Sequence, residues 1–218
     1  MEVELIPRVA RFIWIGCSMP AREHAAVDQF RRLHPGWKVE VCRDYPGDMP
    51  EALVEEAAAG GKRANQTDVW RLWLLWTRGG FHFDTDMIFV RPVDDLRLLG
   101  GFVSGSRWHP VTTFAMGATP GHPMIDKWLQ IVRAGDYRAG DRFSLGPHLA
   151  SRVVAQVPTP VLPAVYWDPI GDKATRLALW DATEEEQRRI LLRPDKETGV
   201  LPFGCHVGLG DTSDAVEA

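Results

Sequence analysis

The chain reads as a mixed α/β protein with a mostly parallel central sheet flanked by helices. Three features of its 218 residues carry that reading. Apolar residues make up 45%, the share of a chain that buries a core. The first part of the chain alternates β-rich apolar runs with helical ones, the signature of strand–helix–strand units. A further stretch, Val69 to Val90, is dominated by apolar residues and punctuated by Gly79-Gly80 and Asp84-Thr85-Asp86.

Taken in order, Val9 to Ile15 is apolar and β-rich, and Gly16 ends it, which predicts a buried first strand. Pro20 to Leu33 predicts a helix, with Pro20 near its start and His34-Pro35-Gly36 after it. Trp37 to Val41 alternates as a second strand. Glu51 to Ala59 predicts a short helix stopped by Gly60-Gly61. Val69 to Trp76 is apolar on nearly all sides, so that helix should be buried, and Gly79-Gly80 terminates it. Phe81 to Phe83 is then a short strand, followed by Asp84-Thr85-Asp86 and the apolar Met87 to Val90. Gly101 to Ser106 and Thr112 to Gly117 predict strands. Pro123 to Arg133 and Leu145 to Val154 predict helices. The tail from Asp195 onward is rich in glycine and polar residues and reads as a closing loop. No repeat, low-complexity tract or linker divides the sequence. One domain over 1–218 is expected, with 1–95 as a nucleotide- and metal-binding half and 96–218 as an acceptor half with the closing tail.

Twenty-five Lys and Arg against 29 Asp and Glu give a net charge of −4, which does not favour a polyanion as partner. Cys17, Cys42 and Cys205 are an odd number without paired-ligand spacing. They are expected as reduced thiols in a cytoplasmic protein. The start is acidic with no long apolar run after it, so no signal peptide is expected. No stretch approaches the ~20 apolar residues that span a bilayer.

Asp84-Thr85-Asp86 carries the chemistry. In extended chain, side chains at i and i+2 share a side, so Asp84 and Asp86 face one way and Thr85 the other. Two carboxylates at a strand end make half of a site for a hard divalent cation. Such a cation bridges a diphosphate and stabilises charge on the leaving phosphate. The alternative is a polar turn between two strands. The buried helix, glycine stop, aromatic strand and apolar exit around the pair favour a place at the core. Ligands of open α/β sheets collect at such strand ends.

Asp68 and Arg71 lie three apart on one helix face. One reading is local, with Asn65 as N-cap and Asp68 paired to Arg71 near the positive helix end. The other turns both into the site, where the aspartate accepts from sugar hydroxyls and the arginine holds sugar or phosphate oxygens. His206 sits in the Gly-rich tail, where an imidazole can serve as a third ligand. Trp14, at the end of the first strand, is either core or a stacking plate for a base.

The segment from Arg63 through Asp68, Arg71, Gly79-Gly80 and Phe81 to Asp84-Thr85-Asp86 closely resembles the DXD sugar-binding region of glycosyltransferase family 32. Yeast initiating mannosyltransferases and many bacterial capsule transferases carry it, and clostridial glucosylating toxins share a similar core. The signature is Ser/Thr-Asp, Arg three residues on, Gly-Gly, an aromatic, then Asp-x-Asp, and each piece is present in order. Ile6-Pro7-Arg8-Val9 to Trp14-Ile15-Gly16 resembles the family's opening strand. Phe114 to Pro123 resembles its middle block, and Ser144-Leu145-Gly146-Pro147 a following Gly-Pro element. The likeness runs from about Ile6 to Pro147, and thinly to His206. Thr112-Thr113 depart from a frequent Asn, and the tail lacks the usual Ser-Trp.

The resemblance implies a GT-A type fold and a retaining, metal-dependent transfer of a hexose from a UDP- or GDP-sugar, with Mn²⁺ or Mg²⁺, to an acceptor hydroxyl. The acceptor is a glycan or lipid-linked glycan by family default. A protein or a modified nucleic-acid base is an alternative, the latter disfavoured by the −4 charge. By position, Asp68, Arg71, Asp84 and Asp86 are the expected catalytic set. Trp14, Ile15, Asp68, Arg71, Asp84 and Thr85 are expected to bind the donor, with Trp14 and Ile15 near the nucleoside. Asp84, Asp86 and His206 are expected to hold the metal. Two other readings are weighed against this one. A non-catalytic nucleotide-sugar module would bind donor without turnover. An Asp-x-Asp phosphohydrolase normally has Thr or Val where Ile88 stands, and no later lysine or acidic pair stands out in this sequence.

Overall fold

The computed structural model describes residues 4–59, 63–138, 141 and 143–208. Six strands build the main sheet: β1 (Val9–Ile13), β2 (Lys38–Cys42), β3 (Gly80–Phe83), β5 (Gly101–Ser104), β6 (Thr112–Ala118) and β7 (Val161–Leu162). Their order is β2-β1-β3-β6-β5-β7. β1 runs parallel to β2 and β3, β7 runs parallel to β5, and β6 is antiparallel to both its neighbours. Only β6 therefore opposes the common direction, and the sheet is mostly parallel as expected. A separate antiparallel pair joins β4 (Met87–Phe89) to β8 (Gly204–His206).

Helix α1 (Ala21–Leu33) follows β1, α2 (Glu51–Ala59) follows β2, and α3 (Arg63–Arg78) leads into β3. Every residue of α3 from Asp68 to Leu75 is buried, because the helix is covered by α2 and by α4 (Pro123–Arg133) as well as by the sheet. Its end needs glycine. Gly79 has φ +59°, and a Cβ there would lie 2.6 Å from the Pro120 ring and 2.9 Å from the Ala118 carbonyl. On this face Leu72, Leu75, Met116, Trp128, Leu129 and Leu149 form one core. On the other face Phe12, Phe30, Phe81, Phe83, Phe89 and Trp167 form a second, aromatic one, with ring centroids such as Phe30–Phe89 5.0 Å apart.

Several expectations are corrected. Asn65 does not cap α3, which begins at Arg63; it is buried inside the first turn. The helix expected over Leu145 to Val154 is α5 (Leu149–Val154) preceded by a wide turn at Ser144–His148. Pro147 interrupts the regular ladder there, and the His148 N–H reaches back to the Phe143 carbonyl. Two helices were not expected, α6 (Lys173–Trp180) and α7 (Glu184–Leu191). The tail is not all loop. β8 pairs with β4, and Cys205 and Val207 are fully buried. Met1 to Val3, the Gly60-Gly61 stop and the tail from Leu209 onward lie outside the described residues.

Among the described residues no helix is long and apolar enough to cross a membrane. The three cysteines are free.

Candidate active site at the strand ends

The carboxyl ends of β1, β3, β5 and β7 and the amino end of the reversed β6 share one edge of the sheet. Asp84 leaves β3 on that edge, and its N–H donates to the Phe114 carbonyl of β6 at 2.8 Å. The chain bends at Thr85 and Asp86, then enters β4. Met87 is in register with His206 of β8, which sets the imidazole beside Asp86. The Val207 N–H closes the arrangement on the Asp86 carbonyl at 2.9 Å. His206 stacks on the Phe114 ring with centroids 4.2 Å apart. One ligating atom each from Asp84, Asp86 and His206 lie within 4.8 Å of one another. Two carboxylate oxygens and an imidazole nitrogen suit a hard to borderline divalent cation such as Mg²⁺ or Mn²⁺.

Asp68 and Arg71 stand behind this cluster. Both side chains are 6% exposed and 3.4 Å apart. Arg71 reaches further than its helix: Nη1 donates to the Thr113 carbonyl at 2.6 Å and lies 3.3 Å from Asp84 Oδ1. The Thr113 hydroxyl donates to Asp68 Oδ1 at 3.5 Å. The local ion pair exists, and Arg71 also reaches the strand ends where Asp84 stands. Gly146 explains the Gly-Pro element, because a Cβ there would stand 2.8 Å from Asp68 Oδ2.

His82 was not foreseen. It is buried on β3, and its Nε2 lies 3.1 Å from Asp84 Oδ1. The i, i+2 alternation of β3 puts His82 on the face of Asp84, so the signal is in the sequence. Burial and the Arg71 guanidinium pull the His82 imidazole down to about 4. It is neutral near pH 7, and its Nε2–H donates to the Asp84 carboxylate. Burial would raise Asp84, but Arg71 and the His82 hydrogen bond outweigh it and hold that carboxyl well below its usual range. Asp68 behaves oppositely. Burial pushes it up to about 6, against the pull of Arg71. Burial disfavours the charged imidazole of His206, but the Asp86 carboxylate wins and raises it. One arginine thus serves two carboxylates unequally, leaving Asp84 firmly ionised.

Residues 20–99 match the family model described as the glycosyltransferase sugar-binding region containing DXD motif. Over those residues the chain is similar to a glycosyltransferase sugar-binding region. It is 26% identical over 134 residues to inositol phosphoceramide mannosyltransferase 1 of Schizosaccharomyces pombe, a match covering 57% of this chain and 42% of that protein. The chain thus spans less than half of that relative's length. Among solved structures, the PaToxG glycosyltransferase superposes with a TM-score of 0.59 at 18% identity, over 71% of this chain and 70% of that one. The ligand-free glycosyltransferase domain of the YGT toxin gives 0.50 at 9% identity, over 86% and 89%. The fold is the GT-A type of glycosyltransferase domains.

Trp14 and Ile15 sit at the end of β1 on the same edge. Trp14 is partly buried, packed on the aromatic core by one side, and its indole N–H donates to the Cys17 carbonyl at 2.8 Å. Ile15 is partly buried against Ile13, Trp70 and Leu74. Thr85 is partly exposed between the two aspartates.

The Asp68–Arg71 pair is open to a direct test. An isolated i, i+3 pair contributes only ~0.2–0.5 kcal/mol. Arg71→Lys loses the fork that holds Asp68, Asp84 and Thr113 together. We expect donor turnover to fall by about 100-fold while the melting temperature moves little, as for loss of an electrostatic site contact. Parallel activity and thermal-denaturation measurements decide it: equal falls in both return the pair to a structural role.

Proposed function

We propose that the chain is a metal-dependent glycosyltransferase moving a hexose from a UDP- or GDP-sugar to an acceptor hydroxyl. The observation that carries this is the convergence of Asp84, Asp86 and His206 on one position beside the Asp68–Arg71 pair. Asp84, Asp86 and His206 would hold the Mn²⁺ or Mg²⁺. When bound, that cation supplies Lewis-acid stabilisation of the leaving diphosphate. Asp84 is kept ionised by Arg71 and by the His82 hydrogen bond. Arg71 aims a guanidinium at the place where sugar and phosphate oxygens would lie, and Asp68 offers a carboxyl to sugar hydroxyls. The 1–95 segment supplies the nucleotide side, and 96–218 contributes the acceptor side and the third ligand. The S. pombe relative is named for an inositol phosphoceramide, so a polyol or sugar hydroxyl is the acceptor we favour. Free thiols at Cys17, Cys42 and Cys205 fit a cytoplasmic setting.

Screening UDP- and GDP-sugars for Mn²⁺-dependent hydrolysis and thermal stabilisation tests the reading. Stabilisation by one nucleotide sugar with no turnover on water or any glycan acceptor would support a binding module instead.

The base contact has its own test. An aromatic–base stack contributes ~1–3 kcal/mol. Trp14→Phe keeps a ring against the core but shortens the plate and loses the N–H to Cys17. It should weaken UDP or GDP binding several-fold without unfolding. Unchanged nucleotide affinity would assign Trp14 to the core alone.

A further inference from the structure

A second charged pair lies behind the third ligand. Asp168 follows the short turn Ala164–Tyr166, and Arg176 stands on α6. Their side chains are 1% and 8% exposed, with Arg176 Nη1 3.0 Å from Asp168 Oδ1. Arg176 Nη1 also points to the His206 carbonyl at 3.5 Å. The His206 N–H donates to the Trp167 carbonyl at 2.7 Å, one residue from Asp168. Both backbone groups of His206 are therefore directed to this pair and its immediate neighbour.

Asp168 gathers a third segment. The Arg107 N–H donates to Asp168 Oδ2 at 3.1 Å, and the Arg107 side chain donates to the Asp168 and Pro169 carbonyls at 3.0 and 2.8 Å. The loop between β5 and β6 and helix α6 thus meet at one buried carboxylate, and strand β8 joins them through Arg176 and the Trp167 carbonyl.

Stability is a poor reason for such a pair. Buried ion pairs lose most of their Coulombic gain to desolvation, and well-packed apolar replacements are often neutral or better. Here the cost is higher, since Arg176 Nε is buried with no hydrogen-bond partner among the described residues. What the pair secures is geometry. β8 is only three residues long and begins with glycine, so its pairing with β4 alone is a weak hold on a ligand.

We propose that Asp168 and Arg176 are positioning residues for the metal site, fixing the His206 backbone so that the imidazole stays within reach of the Asp84 and Asp86 carboxylates. The proposal rests on the reading of Asp84, Asp86 and His206 as the cation site. Outer-shell groups of this kind typically change metal affinity 10–100-fold. Neither residue was singled out in the sequence, because they share no element or motif and the fold alone brings them to His206.

The test uses Mn²⁺ alone as probe, with free Mn²⁺ followed by electron paramagnetic resonance. The double variant Asp168→Asn/Arg176→Met removes both charges together, so no buried charge is left unpaired. The introduced amide oxygen can still accept from the Arg107 N–H. The variant's unfolding midpoint in EDTA should stay near wild type, while its Mn²⁺ Kd should rise about tenfold or more. A wild-type Mn²⁺ Kd in this folded variant overturns the proposal. If the double variant does not fold, Arg176→Lys serves. The lysine nitrogen ends one bond short of the Nη1 position that meets both the Asp168 carboxylate and the His206 carbonyl, so the variant's Kd should also rise, and an unchanged Kd overturns the proposal. Asp86→Ala separates the two claims. If that variant binds Mn²⁺ as the wild type does, the cation site itself is wrong and this inference falls with it.

Discussion

Asp86→Ala is expected to abolish Mn²⁺ binding and metal-dependent donor turnover while leaving the protein folded. Among the described residues, Asp86 is one of three side chains whose ligating atoms converge at the strand ends. A cation held by two carboxylates and one imidazole loses half of its anionic charge with this change. The loss should exceed the roughly 10–100-fold seen when outer-shell groups are altered. Stability should change little. The Asp86 carboxylate is partly exposed, and its charged neighbour Asp84 is compensated by Arg71 and His82. Backbone contacts through the Asp86 carbonyl to the Val207 N–H remain. Mn²⁺ titration, donor hydrolysis and thermal unfolding in EDTA together decide the matter. A folded Asp86→Ala protein with wild-type turnover would refute the metal-dependent mechanism. Asp84→Ala is a less clean choice, since it also strips Arg71 and His82 of a buried partner.

What the sequence disclosed of this site follows the distance between its parts. Asp68, Arg71, Asp84 and Asp86 lie within 19 consecutive positions on one helix–turn–strand unit, so periodicity places them. The i, i+3 rule on α3 holds in the fold, whereas Asp84 and Asp86 converge across a bend at Thr85 and Asp86 rather than along extended chain. His82 is legible by i, i+2 alternation along β3, although a histidine between two phenylalanines reads equally well as core. Thr113 and Gly146 come from other elements, and nothing local signals that they meet Asp68.

The C-terminal third was harder to read for physical reasons. β8 has the sequence Gly-Cys-His, with little strand propensity of its own. It is extended because β4 offers it a ladder from across the chain. α6 is eight residues long, below the length at which periodicity is informative. α7 did carry a signal. Thr183 and Glu186 form a capping box, the Thr-x-x-Glu pattern that marks a helix start.

The tail also behaves differently from a mobile flap that simply closes over donor. Its first described part is built into the core, and this leads to the second large effect, Gly204→Ala. Gly204 is in register with Phe89 of β4. A Cβ at that position would lie 1.9 Å from the Ile88 carbonyl oxygen and 3.0 Å from its carbon. Those are backbone atoms of a buried strand, and no rotamer change relieves the contact. β8 must therefore move off β4, carrying His206 away from Asp86 and pulling Cys205 and Val207 out of their packing. Overpacking of this kind costs about 1–3 kcal/mol, and sometimes more. We expect Gly204→Ala to lower both the unfolding midpoint and Mn²⁺ affinity. His206→Ala should lower Mn²⁺ affinity with a much smaller change in stability, because the imidazole is partly exposed and its neighbours stay in place. Truncation before Gly204 should resemble Gly204→Ala rather than His206→Ala, since it deletes two buried core residues along with the ligand. Denaturation and Mn²⁺ titration of all three variants separate these outcomes. A Gly204→Ala protein with wild-type midpoint and wild-type Mn²⁺ Kd would mean that β8 is not held against β4, and the route by which the fold delivers its third ligand would have to be abandoned.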